Sequence, residues 1–125
     1  MELRPDLSGR TALVTGSAKR VGRELLLSIA DCGADVVVHY NESEAAATAT
    51  AEEVRERGGT AVTAQGDITD PDAVDELFDT VEAELGSVDV LVNNVGDFDA
   101  RHWSDIGWES WRNVVETTFY GTVLC

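Results

Sequence analysis

Thr11-Ala-Leu-Val-Thr-Gly-Ser-Ala-Lys-Arg-Val-Gly22 is the stretch on which the reading of this chain turns. Thr11 to Thr15 is a short apolar run suited to a buried strand, and Gly16 lets the backbone leave it sharply. Val21, Leu25, Ile29 and Cys32 then recur at helical spacing among Arg23, Glu24, Ser28 and Asp31, until Gly33 offers a helix end. The turn between the two elements lacks G-x-G-x-x-G spacing. It is not followed by Gly-Lys-Ser/Thr either, which removes the main support for a P-loop kinase or ATPase.

The same alternation continues outward. Asp35-Val-Val-Val-His-Tyr40 is β-branched and too short for a helix, whereas Ser43 to Arg57, rich in alanine and glutamate, predicts a helix stopped at Gly58 and Gly59. Thr60 to Gln65 is a third strand. Asp70 followed by Pro71 starts the clearest helix, with Val74, Leu77, Phe78, Val81 and Leu85 on one face before Gly86. Val88 to Asn93 is a fourth strand, and a last helix begins near Trp108 and is still running at Cys125. Near-continuous apolar strands between helices predict a doubly wound α/β domain over residues 1–125: a Rossmann-type parallel sheet of about four strands, incomplete, with helices on both faces. Such a half-sheet leaves an edge strand and the outer side of its last helix to be covered by a further segment.

Composition narrows the function. With 24 acidic against 9 basic residues, a formal net charge of -15 and a pI near 4.2, the chain repels nucleic acid and anionic membranes. Charges and a proline interrupt the opening MELRPDLSGR where a signal peptide needs an apolar stretch, and no apolar run approaches the roughly 20 residues that span a bilayer. A cytoplasmic location is expected. Lys19 is the only lysine and the acids are spread over every predicted helix, a pattern of a solvated, halophilic-like surface more than of an ordinary acidic protein. Cys32 and Cys125 lack any zinc or disulfide-framework spacing and read as small apolar fillers.

In an open doubly wound sheet, ligands bind beyond the carboxyl ends of the strands, so residues at those ends are the candidates. Thr15-Gly16-x-x-x-Arg20-x-Gly22 resembles the T-G-x-x-x-G-x-G loop of the short-chain dehydrogenase/reductase family, with arginine at the middle glycine. Asp67-Ile68 after the third strand resembles the family's Asp-hydrophobic pair near the adenine, though Asp67 taken alone suits a turn. Asn93-Asn94-Val95-Gly96 after the fourth looks like its N-N-A-G motif, bordering the nicotinamide ribose. Ser17-Ala-Lys-Arg-Val-Gly22 with His39-Tyr-Asn-x-Ser43 is particularly similar to the pteridine reductase branch, and 3-oxoacyl-acyl carrier protein reductases share much of this half. The resemblance implies a nicotinamide cofactor held by Gly16, Ser17, Lys19, Arg20, Val21, Gly22, Tyr40, Asn41, Ser43, Asp67, Ile68, Asn93, Asn94, Val95 and Gly96.

Charge at the second strand's end bears on which cofactor. NAD sites place an acid there, roughly 20 residues after the glycine loop. Here Tyr40 stands at that position, Glu42 falls in the loop beyond, and Lys19, Arg20 and Arg23 gather cations that suit a 2′-phosphate. NADP(H) is therefore expected over NAD. His39 reads as a packed residue.

The family's catalytic pattern is incomplete in this chain. Neither Tyr40 nor Tyr120 is followed by a lysine four positions on, and Thr118 stands at the position of the family's helix asparagine, whose amide donor and acceptor a hydroxyl cannot reproduce. No catalytic residue is assigned. The resemblance implies an oxidoreductase of a small-molecule carbonyl or pteridine-like substrate, represented by its cofactor half and working as a homo-oligomer or with a complementing C-terminal segment. The alternatives are a non-catalytic nucleotide-binding module or an inactive fragment. Trp103, Trp108 and Trp111 suit a subunit interface more than a substrate mouth.

Overall fold

A computed structural model describes residues 3–125. Four strands, β1 (Thr11–Val14), β2 (Asp35–Tyr40), β3 (Ala61–Gln65) and β4 (Val90–Val92), form one parallel sheet in the order β3-β2-β1-β4. The register sets Val14 opposite both Val38 and Val92, so the strands' carboxyl ends come out on one side. The chain winds outward from β1 to β3 and then crosses to the far side of β1, which places the reversal of strand order between β1 and β4.

The crossing divides the helices between the two faces. Ala12, Val14, Val36 and Val38 form one core with Leu26 and Leu27 of α1 (Arg20–Asp31) and Ala47, Ala51 and Val54 of α2 (Glu44–Glu56). Leu13, Val37 and Ala64 form the other with Leu77 and Val81 of α3 (Pro71–Leu85). This is the strand alternation of a sheet buried on both sides. Asp70 caps α3, its carboxylate accepting the Asp72 N–H at 3.0 Å, with Pro71 next as expected.

Three expectations are corrected. The buried side of α1 is Gly22, Leu26 and Leu27, while Val21 is 66% and Leu25 39% exposed. Apolar spacing alone cannot say which of two adjacent helix stripes meets the sheet; the close approach that Gly22 permits decides it. The fourth strand is the three residues Val90–Val92, half-buried at the sheet edge. The last helix is not uniform: α4 (Trp108–Val115) passes through a π-helical turn, Glu116–Tyr120, into α5 (Gly121–Leu124). Before α4, Trp103–Asp105 makes a single 3-10 turn. No residue of α4 is buried, and Trp103, Trp108 and Trp111 are exposed, so these aromatics belong to neither core formed by the described residues.

Candidate functional site

Everything at the carboxyl end of the sheet is organised by the exit from β1. Gly16 turns with φ of +64°, and a Cβ there would stand 2.8 Å from Val95 Cγ2. Gly22 is tighter still, since a Cβ would overlap the carbonyl oxygen of Gly16 and lie 2.6 Å from Asn94 Nδ2. Arg20 has φ of +57°, a left-handed conformation that explains why the related motif prefers glycine there. The N-terminus of α1 has no side-chain cap and no acid in its first turn, so nothing within that turn offsets its positive dipole end.

The loop is clamped from three sides. The Thr15 hydroxyl accepts the N–H groups of Asn94 and Val95 at 3.0 and 3.1 Å, and Asn94 Nδ2 donates to the carbonyls of Thr15 and Gly16 at 3.1 and 3.3 Å. The Thr50 hydroxyl donates to the Ala18 carbonyl at 2.7 Å. His39, 2% exposed, accepts the Gly16 N–H at Nδ1 (2.9 Å) and bonds the Gly66 carbonyl through Nε2 (2.8 Å). Burial pushes its pKa below the ordinary histidine value, partly offset by the Gly66 bond. His39 is packed, as expected, and it also ties the loop to the β3 end. Thr15 and Thr50 carry no signal of this role in sequence, since their partners are 77 or more and 32 residues away.

A cleft of about 310 Å³ opens over these strand ends, within the usual range for small-molecule sites. Gly16, Lys19, Tyr40, Asn41, Ser43, Asp67, Ile68 and Val95, all expected at the site, line it. So do Ala18, His39, Glu42, Gly66, Thr69 and Thr117, of which Glu42 is the acid placed in the loop after β2. The other expected residues lie elsewhere. Ser17 is buried with its hydroxyl accepting the His39 N–H at 3.1 Å, and Gly22 and Asn94 sit behind the loop. Asn93 and Gly96 are exposed beyond the lining.

The cationic group disperses. Lys19 lines the cleft, whereas Arg20 and Val21 border a separate surface hollow with Glu24, Leu25 and Ser28, and Arg23 pairs with Glu24 at 3.3 Å. Successive residues at a helix start point in different directions, which sequence clustering ignores. Asp67 is a turn residue by geometry: its Oδ1 accepts from both the N–H and the hydroxyl of Thr69, at 2.9 and 2.7 Å.

Thr118 sits in the π-helical turn and faces the loop after β4. Its hydroxyl accepts the Asp97 N–H at 2.9 Å and lies 3.3 Å from the Asp97 carbonyl, so it pins that loop to the helix. A second knot holds the same loop: Ser110 donates to Asp99 at 2.6 Å and Arg101 clamps the same carboxyl, which stays well below the usual carboxylate range. Gly121 allows the helix to rest on Ile68, whose Cδ1 would lie 2.5 Å from a Cβ there.

A parallel half-sheet reversing between β1 and β4, with a glycine turn into an uncapped helix and a cleft across the strand ends, defines a nucleotide-binding α/β protein of the doubly wound class. The profile of the short chain dehydrogenase family matches residues 10–125, and the chain belongs to that family of NAD(P)-binding oxidoreductases. It is 33% identical over 127 residues to a short-chain type dehydrogenase/reductase of Picea abies, which covers 95% of this chain and 47% of that protein. It is 34% identical over 119 residues to a 3-oxoacyl-[acyl-carrier-protein] reductase of Synechocystis, covering 95% and 48%. The solved structure of a short-chain type dehydrogenase/reductase from Mycobacterium marinum superposes with a TM-score of 0.90 at 34% identity, covering 95% of this chain and 48% of that one. The chain thus spans about half the length of the relatives it matches.

Proposed function

We propose that this chain is the NADP(H)-binding half of an oxidoreductase that reduces a small carbonyl or pteridine-like substrate. The observation that carries the reading is the cleft itself, which gathers the ends of β1, β2 and β3 around one path beside the uncapped α1 N-terminus. In this reading Gly16, Gly22 and the α1 N-terminus receive the pyrophosphate, Asp67 and Ile68 border the adenine, and Asn93 to Gly96 border the nicotinamide ribose. Ser17 and Asn94 act by holding the loop, and Arg20 and Val21 through their backbone. The bound nicotinamide supplies the hydride. Lys19, Tyr40, Asn41 and Ser43 surround the adenosine ribose, where Lys19 is the cation for a 2′-phosphate.

The acid that protonates the substrate is assigned to a segment beyond the matched half of the family architecture, since neither Tyr40 nor Tyr120 has a lysine partner. Residues 1–125 then form a single dinucleotide-binding domain, completed by that segment or within a homo-oligomer. The acidic surface suits a saline cytoplasm.

Two observations favour second readings. Glu42 lines the cleft, and an acid accepting the ribose 2′-hydroxyl would select NAD. Thr118, engaged with the Asp97 backbone, suits a non-catalytic nucleotide-binding module. Calorimetric titration with NADPH and NADH at high salt, on the wild type, Lys19→Gln and Glu42→Gln, separates them. NADPH is expected to bind more tightly, Lys19→Gln to erase most of that preference and Glu42→Gln to enlarge it. Equal or tighter binding of NADH overturns the NADP assignment. A folded protein that binds neither overturns the cofactor role. Binding without hydride exchange in the protein joined to its C-terminal segment supports the non-catalytic module.

A further inference from the structure

β1 and β3 are not neighbours: β2 lies between them, so their ends stand roughly 10 Å apart and no ladder hydrogen bond joins them. The backbone fastens each to β2 separately, through the Ser17 N–H to the His39 carbonyl at 3.1 Å and the Gly66 N–H to the Tyr40 carbonyl at 3.0 Å. The His39 imidazole reaches both turns at once, accepting from Gly16 on one side and meeting the Gly66 carbonyl on the other. A carbonyl can only accept, so Nε2 carries the hydrogen; an amide N–H can only donate, so Nδ1 is bare. Both bonds exist together only in the neutral Nε2–H tautomer. Protonation would turn Nδ1 into a second donor facing the Gly16 N–H.

We propose that His39 is a positioning residue for the dinucleotide: its neutral ring bridges the turns after β1 and β3 and thereby sets the width of the cleft that Gly16 and Gly66 both line. This rests on the cofactor reading above. The ring touches no reacting atom in this role; it acts through the Gly16 amide and the Gly66 carbonyl. The ionisable groups sharing the cleft with it are Lys19 from the glycine loop, Glu42 and Tyr40 from the end of β2, and Asp67 after β3. The buried sides of the packed helices bring no charge: Gly22, Leu26 and Leu27 from α1, Ala47, Thr50, Ala51 and Val54 from α2, and Val74, Leu77 and Val81 from α3.

Two substitutions divide the clip. His39→Asn keeps an acceptor near Nδ1 for Gly16 but loses the reach to Gly66, and His39→Gln keeps a donor near Nε2 for Gly66 but loses the acceptor for Gly16. Imidazole nitrogen shifts of the wild type and amide hydrogen exchange at Gly16 report the clip without any cofactor, and titration with NADPH from pH 7.5 to 5.5 reports its consequence. We expect the Nε2–H tautomer in the wild type, faster Gly16 exchange in His39→Gln than in His39→Asn, and NADPH binding about fivefold weaker in each at pH 7.5, the effect of one hydrogen bond. The wild type should lose affinity more steeply on acidification than either variant, since the cofactor and the rest of the cleft are common to all three. A doubly protonated or Nδ1–H ring at pH 7.5, or variants with wild-type affinity and pH profile, overturns the proposal. Wild-type protein that shows the tautomer and Gly16 protection but binds no dinucleotide overturns the cofactor reading instead, with the clip established.

Discussion

Replacing Gly22 by alanine tests the packing on which the whole strand-end region depends. The added Cβ would overlap the Gly16 carbonyl oxygen and crowd Asn94 Nδ2 at 2.6 Å. The first neighbour is backbone held by the β1 exit and cannot swing aside, so the cost is that of an overpacked core, about 1–3 kcal/mol. Displacing the Asn94 amide also sacrifices its bonds to the Thr15 and Gly16 carbonyls, about 1 kcal/mol more. Against this, Gly22 lies within α1, where alanine improves helix propensity by about 0.5–1 kcal/mol. The net loss is about 2 kcal/mol, which for a chain of this size lowers Tm by about 6–12 °C. Scanning calorimetry of Gly22→Ala beside Gly107→Ala measures it. A Cβ at Gly107 meets nothing within 4 Å, so that variant controls for the generic effect of removing a glycine. Equal Tm values for the two variants and the wild type would refute the claim that Gly22 is required by close approach.

Gly121→Ala should destabilise less than Gly22→Ala, by about 0.5–1.5 kcal/mol in urea unfolding, because the neighbour 2.5 Å from its Cβ is Ile68 Cδ1, a side-chain end that can shift, and Ile68→Val, which removes that atom, should restore part of the loss in the double variant. Thr118→Val, which removes the acceptor for the Asp97 N–H, should cost about 0.5–1.5 kcal/mol and speed amide exchange over residues 97–107, leaving exchange in β1 and β2 unchanged. Asp70→Ala should cost about 1 kcal/mol, read by the same unfolding assay, through loss of the α3 cap. Burial lowers the folded pKa of His39 below 6.5, so the unfolded chain binds its proton first: the stabilising contribution is complete above pH 6.5 and is lost as pH falls from there through the folded pKa. Denaturant titrations across pH 5–7.5 should therefore show a steeper acid loss in the wild type than in His39→Gln.

Much of this protein was legible in its sequence because the deciding signals are local. The β-branched run from Asp35 to Tyr40, the Asp70-Pro71 start of α3 and the glycines after the first three helices act over a few residues, and together they define alternating strands and helices with one parallel sheet. The spacing of Thr15, Gly16, Arg20 and Gly22, with Asp67 and Asn93 to Gly96 at later strand ends, identified the family for the same reason.

The tertiary structure decided what depends on direction and on distant partners. Val21 and Leu25 share helical spacing with Ile29, yet they face outward because Gly22, one position on, is where the sheet allows contact. Lys19, Arg20 and Arg23 are neighbours in sequence and scattered in space, so one cation rather than three lines the cleft. Thr15, His39 and Thr50 hold the loop through partners that only the winding of the sheet brings near. Sequence patterns record periodicity and local propensity, whereas which stripe is buried and which turns meet are set by close packing between elements far apart along the chain.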